Sequence, residues 1–505
     1  MLFNSPEFIF LFLPCAVILH FVLARIGLLA AALGTTLSSL IFYAWWNPAF
    51  LPLPILSIAF NYLIAGRIAS QKGAGARVSL IFGIIANLLV LGYFKYADFL
   101  LSMVDGHTPA PPNVPLALSF TTFVQIAFLV EIYRRRRVAS LELYAMFVSF
   151  FPHLIAGPIV RWNELGPQIA DGARYRIDWN NVALGLTIFT FGLAKKMLIA
   201  DELAVHVASV FDAAARAEWV TAAAAWGAAL AYSAQLYFDF SGYSEMAVGL
   251  GLLFNLRLPI NFAAPLRAQS PIDLWRRWHI SLSRFLRDFV YLPLGGSKRG
   301  MWRQSINLFV TMTLGGLWHG AGWTFVIWGA FHGTLLAANH AWRSWRGAVQ
   351  PRRLGRFLGW LGTFVAFAIG MVFFRAANVG AAGRLLAAMF GFGGAVVPQN
   401  VLLDWDQWGI RHGYFSEPFI LAWFGTTWTI VGSLWTLAAL TVALLLPETM
   451  ELFDYREGEP HSDWRRSWQR LKWQPTVAWL VVTVVLFVAA FDKIGRVSEF
   501  LYYQF

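Results

Sequence analysis

Apolar runs of bilayer-crossing length recur from one end of the chain to the other, separated by short polar stretches. The runs fall at roughly 8–24, 28–46, 51–66, 78–97, 114–132, 144–160, 181–200, 220–238, 242–254, 305–325, 326–342, 357–375, 418–446 and 475–491. A helix needs about 20 apolar residues to cross the hydrocarbon layer. Several of these runs are short enough to merge or to re-enter, so the pattern predicts about ten to thirteen crossings. Short strands of alternating polarity, the mark of a membrane barrel, do not occur. The expected fold class is an all-α, polytopic membrane protein.

Two regions depart from the pattern. Residues 144–160, YAMFVSFFPHLIAGPIV, carry Pro152, Gly157 and Pro158 inside an apolar run. Proline there breaks a helix and frees carbonyls that protein or water must satisfy. Residues 270–296, SPIDLWRRWHISLSRFLRDFVYLPLGG, are too charged to span and too apolar for an ordinary loop. As a helix, the stretch gathers Trp275, Trp278, Leu282, Phe285 and Phe289 on one side and Arg276, Arg277, Arg284, Arg287 and Asp288 on the rest. That predicts an interfacial or re-entrant amphipathic helix.

Composition agrees with burial in lipid. The chain has 505 residues, 58% hydrophobic and 13% charged, with a mean hydropathy of +0.57; soluble domains carry about 25% charged residues. No polar stretch is long enough to build a soluble core, so residues 1–505 read as one integral-membrane domain. The net charge of +12 comes from basic clusters between apolar runs. The positive-inside rule accounts for them better than nucleic-acid binding does. Arg67, Lys72, Arg77 and the Arg134–Arg137 run are expected to face the cytoplasm, as are the basic groups at 298–303, 343–356 and 456–472. Loop 98–113, with Asp98 and Asp105, the long loop 376–416 and the C-terminal FLYYQF then fall outside, as does the N-terminus. The single cysteine, Cys15, excludes an internal disulfide and reads as a small core residue. MLFNSPEF lacks a basic n-region, so residues 8–24 read as a retained span.

Candidate chemistry centres on GGLWHGAGW, residues 315–323. His319 stands in a stretch without acid or base from Leu308 to Ala330, and glycines lie one turn to either side of it. The expectation is a bare surface that a reactant approaches closely. His279 lies forty residues earlier. A lone membrane histidine is more often a hydrogen-bonded packing residue, but ionisable groups within a membrane are expensive and suggest function, and two histidines in Trp-rich motifs shift the balance toward it. Neither has a carboxylate or third histidine at ligand spacing, so no metal is expected. Arg276 and Arg277, with Trp278 beside them, suit a phosphate-bearing donor; the plain alternative is snorkelling arginines. In YFDFSGYSEM, Asp239 is expected to pair with an arginine or to orient a histidine, or else to join a polar packing cluster with its neighbours. His332 reads as structural.

YFDFSGYSEMAVGLG, LPINFAAPLRAQSPIDLWRRWHISLSRFLRDFVYLPLGG and GGLWHGAGWTFVIWGAFHG together resemble the membrane-bound O-acyltransferase superfamily. They are most similar to its bacterial, alginate O-acetyltransferase-like branch. MLFNSPEFIFLFLP, FFRA at 373–376 and the terminal YYQF fit the same branch, so the resemblance covers nearly the whole chain; the block at about 237–333 carries it most specifically. Leu266 and Leu274 depart from the Tyr and Phe common there. The resemblance implies helices arranged around a thinned centre with a tunnel opening from the cytoplasm. It implies a catalytic role for His319 and places the family's second position, Asn or His, on His279.

The implied chemistry is acetyl transfer from cytoplasmic acetyl-coenzyme A, as donor substrate, toward an extracellular polysaccharide, with no cofactor. An imidazole near neutrality can take the hydroxyl proton and return it to the leaving thiolate; transient acylation of His319 is the alternative. Glycines around His319 would admit the reactants, the indole N–H groups of Trp318 and Trp323 could meet the oxyanion, and His279 would position the thioester. Relatives often use a periplasmic partner with a serine-hydrolase-like fold, expected here to be encoded separately. Alginate is the nearest acceptor by resemblance; peptidoglycan, cellulose and D-alanyl transfer to teichoic acid remain open. From other classes, a proton-coupled transporter using His319 and Asp239, or a secretion scaffold, also stays open.

Overall fold

The computed structural model describes residues 1–105, 114–155, 157–347, 352–392, 428–455 and 471–494. It is helical, with no strand among the described residues. The basic cluster at 456–470, most of loop 376–416, the start of the 418–446 span and the FLYYQF tail lie outside the described residues.

In chain order the helices are α1 (Leu13–Ala24), α2 (Leu28–Ala44), α3 (Pro52–Ser70), α4 (Gly73–Asp105), α5 (Leu118–Arg135), α6 (Leu141–Ser149), α7 (Phe151–Leu154), α8 (Trp162–Ile169), α9 (Trp179–Ala194), α10 (Asp201–Ala215) and α11 (Ala222–Leu253). They continue as α12 (Pro271–Arg277), α13 (Ile280–Leu286), α14 (Gly300–His319), α15 (Trp323–Arg346), α16 (Arg353–Arg375) and α17 (Val379–Met389), followed by Ile430–Leu445, Thr449–Leu452 and Val477–Phe491. Six described helical stretches are long and apolar enough to cross a bilayer, and three shorter ones are apolar. Helices α5, α11, α14 and α15 have the length but are not among those six. Helices α5 and α11 are buried over most of their length and carry polar groups that lipid would not tolerate, such as Gln125, Asp239 and Glu245, whereas α14 and α15 each keep an exposed flank that includes Leu314 and Trp345. By contrast α4 shows lipid-type side chains outward, with Leu89, Tyr93 and Val104 at least two-thirds exposed.

Several boundaries differ from the sequence reading, each for a packing reason. The expected runs 220–238 and 242–254 are one element: α11 continues through residues 239–241 and Gly242 for 32 residues. The glycine is a crossing point, because a Cβ there would meet the Gly192 carbonyl oxygen of α9 at 2.6 Å, and one on Gly249 would meet that of Gly185 at 2.5 Å. Close backbone approach at small residues is how membrane helices associate without a hydrophobic drive. The run 181–200 continues through a π-helical stretch, Lys195–Ala200, into α10. The acidic loop expected from residue 98 is helical as far as Asp105. Within the expected loop 376–416, residues 379–389 form α17. Cys15 is exposed on α1 rather than in the core, because an apolar outer face suits lipid as well as an apolar core. The break around Pro152 is present, with α6 ending at Ser149.

One end of the bundle is fixed by arginines. Arg136 Nη1 donates to the carbonyls of Ile68 (2.5 Å) and Gln71 (3.0 Å), tying the end of α5 to the α3–α4 turn. Glu131 accepts from Asn163 N, Arg284 pairs with Glu164, and Arg161 pairs with Asp288 at 2.8 Å. The basic Arg134–Arg137 run and the far end of the 270–296 segment therefore share one side. Burial disfavours the charge on Asp288, but hydrogen bonds from Arg287 and Arg161 outweigh it and hold the carboxyl below its ordinary range.

The buried side chains fall into two large clusters. One contains Phe3, Phe42, Phe123, Phe285 and Trp318, the other Tyr232, Phe262, Trp278, Trp328 and Phe374. Helix α11 contributes to both, Tyr237 and Phe240 to the second and Tyr243 and Met246 to the first. The seam between them is where the two histidines meet.

Candidate active site at the seam of two packed halves

His319 is the last residue of α14, and Gly320 and Gly322 make the short turn into α15. Its imidazole is 4% exposed. It lies edge-on to Trp318 (centroids 4.8 Å apart), Trp328 (5.2 Å) and Phe374 (5.1 Å). The His279 ring is 6.4 Å away and itself fully buried, edge-on to Phe240 of α11 at 4.7 Å.

The glycines do not leave His319 bare, as the sequence had suggested. They let α15 fold back onto α14: a Cβ on Gly316 would strike the Phe325 carbonyl and the Gly329 backbone, and one on Gly333 would meet Phe309 Cα at 2.8 Å. Gly315 faces Leu286 of α13, and Gly320 lies under the Phe325 ring. The surface is spent on helix packing.

The 270–296 segment is not one amphipathic helix. It breaks at His279, whose φ of 43° and ψ of 56° put a non-glycine residue in the left-handed region, a conformation costing about 1–2 kcal/mol. Strand-like pairing with residues 261–263 replaces the lost helical bonds. Ile280 N donates to the Asn261 carbonyl (2.9 Å) and Ala263 N to the Arg277 carbonyl (3.0 Å). Asn261 Oδ1 accepts from Ser281 N and Ser281 Oγ, while Asn261 Nδ2 donates to Ser244 of α11. Ser270 caps α12 by accepting from Asp273 N. The break points His279 inward, away from the arginine face.

The remaining sequence candidates separate. Trp318 is buried against Phe123 and His319. Trp323 is 55% exposed with its ring against Phe99, so it does not join the cluster. Trp328, which the sequence did not single out, does join it. The indole nitrogens of Trp318, Trp328 and Trp275 are buried with no acceptor among the described residues, a costly state for an N–H donor. Trp275, Trp328 and His332 pack ring against ring, 5.0 to 5.8 Å apart. His332 faces the backbone of Gly370, whose added Cβ would lie 2.7 Å from its Nε2.

Arg277 is engaged by Asp273 at 2.8 Å and by the Ala263 carbonyl, whereas Arg276 is exposed. Trp278 is buried against Phe262 and Phe367. Asp239 pairs with Lys196 at 2.7 Å, and Lys196 also with Asp201; a lysine is a partner that the sequence reading did not name. Glu245, one turn and a half on, pairs with Lys195.

A further group was missed. Lys95 of α4, 3% exposed, donates to the carbonyls of Trp318 (2.5 Å) and His319 (3.3 Å) and to Ser119 Oγ (3.3 Å). Tyr96 Oη donates to the Leu317 carbonyl at 2.9 Å. A lone lysine in an apolar span was the available signal. No group of three His, Cys, Asp or Glu side chains forms a metal-ligand set among the described residues.

Two neighbouring buried imidazoles beside buried indole donors that have no acceptor among the described residues suit proton transfer coupled to charge development on an oxygen. Known proteins are similar to this chain in sequence. The peptidoglycan O-acetyltransferase of Helicobacter pylori is 42% identical over 432 residues, 78% of this chain and 80% of that protein. The probable alginate O-acetylase AlgI of Pseudomonas putida is 36% identical and spans all of both chains. The teichoic acid D-alanyltransferase of Bacillus subtilis is 26% identical over 56% of this chain and 73% of that protein. The profile of MBOAT, the membrane-bound O-acyltransferase family, matches residues 80–382, which include both histidines and the helices that carry them. The chain belongs to this family and is a multi-pass membrane O-acyltransferase.

Proposed function

We propose that the protein takes acetyl from acetyl-coenzyme A on the cytoplasmic side of the inner membrane and passes it outward to an acceptor serving an envelope polysaccharide. His319 accepts the proton of the attacking hydroxyl. The new C–O bond forms, the C–S bond breaks, and the imidazolium returns its proton to the thiolate. His279 holds the thioester carbonyl, and the indole N–H groups of Trp318 and Trp328 meet the oxyanion. The observation that carries this reading is the 6.4 Å approach of two buried imidazoles beside indole donors that lack acceptors. Both reactants enter along the seam, which a tunnel of the kind implied by the family resemblance would follow.

Arg276, exposed and in no ion pair among the described residues, is the cation best suited to the donor's phosphates. A separately encoded, serine-hydrolase-like periplasmic protein receives the acetyl group and hands it to the polymer. Alginate-like polysaccharide is the first acceptor to test and peptidoglycan the second, since the relatives named for those two polymers are similar to this chain at 36% and 42% identity. The N-terminus is assigned to the outer side.

The test is acetyl content of the isolated envelope polysaccharides, by mass spectrometry, in cells with the wild-type protein, with His319→Ala, and with none. Loss of acetyl from one polymer in the last two, with normal membrane levels of the variant, is the expected result. Full acetylation with His319→Ala removes the base and favours a scaffold. A thioether analogue of acetyl-coenzyme A should stop transfer; continued substrate movement would mark a transporter.

A further inference from the structure

We propose that Lys95 is a positioning residue for His319: its ammonium, supplied from α4, caps the C-terminal end of α14 and fixes the imidazole at the seam. The inference rests on the reading of His319 as the base. An ammonium has three N–H donors and no acceptor. Here three acceptors meet Lys95 Nζ: the carbonyls of Trp318 and His319 and the Ser119 hydroxyl, at 2.5, 3.3 and 3.3 Å. Tyr96 adds a fourth bond, to the Leu317 carbonyl. Three consecutive carbonyls of one helix end are thus held by two consecutive residues of another.

The sequence explains why the help must come from outside α14. The last carbonyls of any helix lack intrahelical partners and carry its negative end. At His319 the chain turns at once into α15 through Gly320 and Gly322, residues without side chains to donate. Neither water nor lipid can be relied on at that depth. A cation at the C-terminus is favoured by the helix dipole, and among the described residues no carboxylate pairs with Lys95. The Lys95 ammonium also lies 5.8 Å from the centre of the Trp318 ring, so it braces both residues of the Trp318–His319 pair. Helix α4 is apolar and little buried over most of its length, and the Lys95 face is where it reaches the site.

The experiment measures transfer of labelled acetyl from acetyl-coenzyme A to the envelope-polysaccharide fraction in permeabilised cells lacking the native copy. Rates are expressed per folded molecule, counted by size-exclusion fluorescence. Lys95→Met is expected to lower kcat about 100-fold, the scale of a misplaced catalytic group, with donor KM changed less than about threefold. Lys95→Arg, which keeps the donors, should recover at least about a tenth of the wild-type rate. Wild-type kcat per folded Lys95→Met molecule, or an Arg variant no better than Met, overturns the assignment. If Lys95→Met fails to accumulate, Tyr96→Phe decides: about a tenfold loss of kcat at constant KM supports it, and an unchanged kcat overturns it. His319→Ala is run alongside. Activity in that variant defeats the reading of the base, whereas an inactive His319→Ala beside a fully active Lys95→Met defeats only the positioning role.

Discussion

Gly316 of α14 and Gly329 of α15 cross with no room for a methyl group on either: a Cβ on Gly316 would lie 2.9 Å from Gly329 Cα, and one on Gly329 would lie 3.1 Å from Gly316 Cα. The obstacle is backbone, which cannot rotate away. Gly329→Ala should therefore destabilise the bundle by about 1–3 kcal/mol, the usual cost of overpacking, read as a lower Tm in detergent. Gly362→Ala is the control. Nothing lies within 4 Å of a Cβ there, and replacing an interior helical glycine by alanine gains up to about 1 kcal/mol. Equal Tm values for the two variants would mean that the crossing is looser than described.

The left-handed backbone of His279 separates two substitutions that otherwise look alike. Asparagine tolerates this region and alanine does not. His279→Asn is expected to keep the wild-type Tm, while His279→Ala loses a few degrees. Asn also retains a side-chain N–H for a carbonyl, so it should keep more acetyl transfer than Ala. A lower Tm for Asn than for Ala would remove backbone conformation as the reason.

Much of this architecture was legible, and the illegible parts have physical causes. Apolar runs and basic clusters marked the helices because lipid imposes both signals on the chain. The break at His279 left no trace in RRWHISLS, which contains no Gly or Pro; it is specified by Asn261, eighteen residues upstream, through bonds to Ile280 and Ser281. Glycine is ambiguous by nature, since a missing side chain serves a helix crossing as well as a substrate passage. For Gly316 and Gly329 only the tertiary partner decides. Asp239 could be recognised as buried and paired, but its partner Lys196 sits at the start of the π-helical stretch between α9 and α10, where one extra residue per turn changes which side chain faces α11.

Arg276 and Arg277, adjacent in sequence, should give opposite phenotypes. Arg277 is tied to Asp273 and to the Ala263 carbonyl, beside the backbone pairing that supports His279. Its replacement by Ala is expected to lower folded yield and kcat while leaving the donor KM near wild type. Arg276 is exposed, so Arg276→Ala should raise the KM for acetyl-coenzyme A, by about tenfold at low salt and less at high salt as screening weakens the wild-type contact. Identical kinetics for the two variants would return both arginines to a membrane-surface role.

Trp328 offers the sharpest separation of stability from activity. Its ring is edge-on to His319 and belongs to the core, yet its N–H is buried without an acceptor. Phenylalanine keeps an aromatic plane and deletes the donor. Removing an unsatisfied buried donor costs the fold little, so Trp328→Phe should hold its Tm within a few degrees, allowing for the smaller ring. If the indole meets the oxyanion only as the carbonyl is attacked, kcat falls by about 10²–10³ while KM stays. Trp323→Phe, at an exposed ring 6.0 Å from Phe99, should change neither. A Trp328→Phe enzyme with full kcat would shift the oxyanion role to Trp318 alone, whose N–H is likewise unpartnered. The same assay on Trp318→Phe then decides whether either indole takes part in the chemistry.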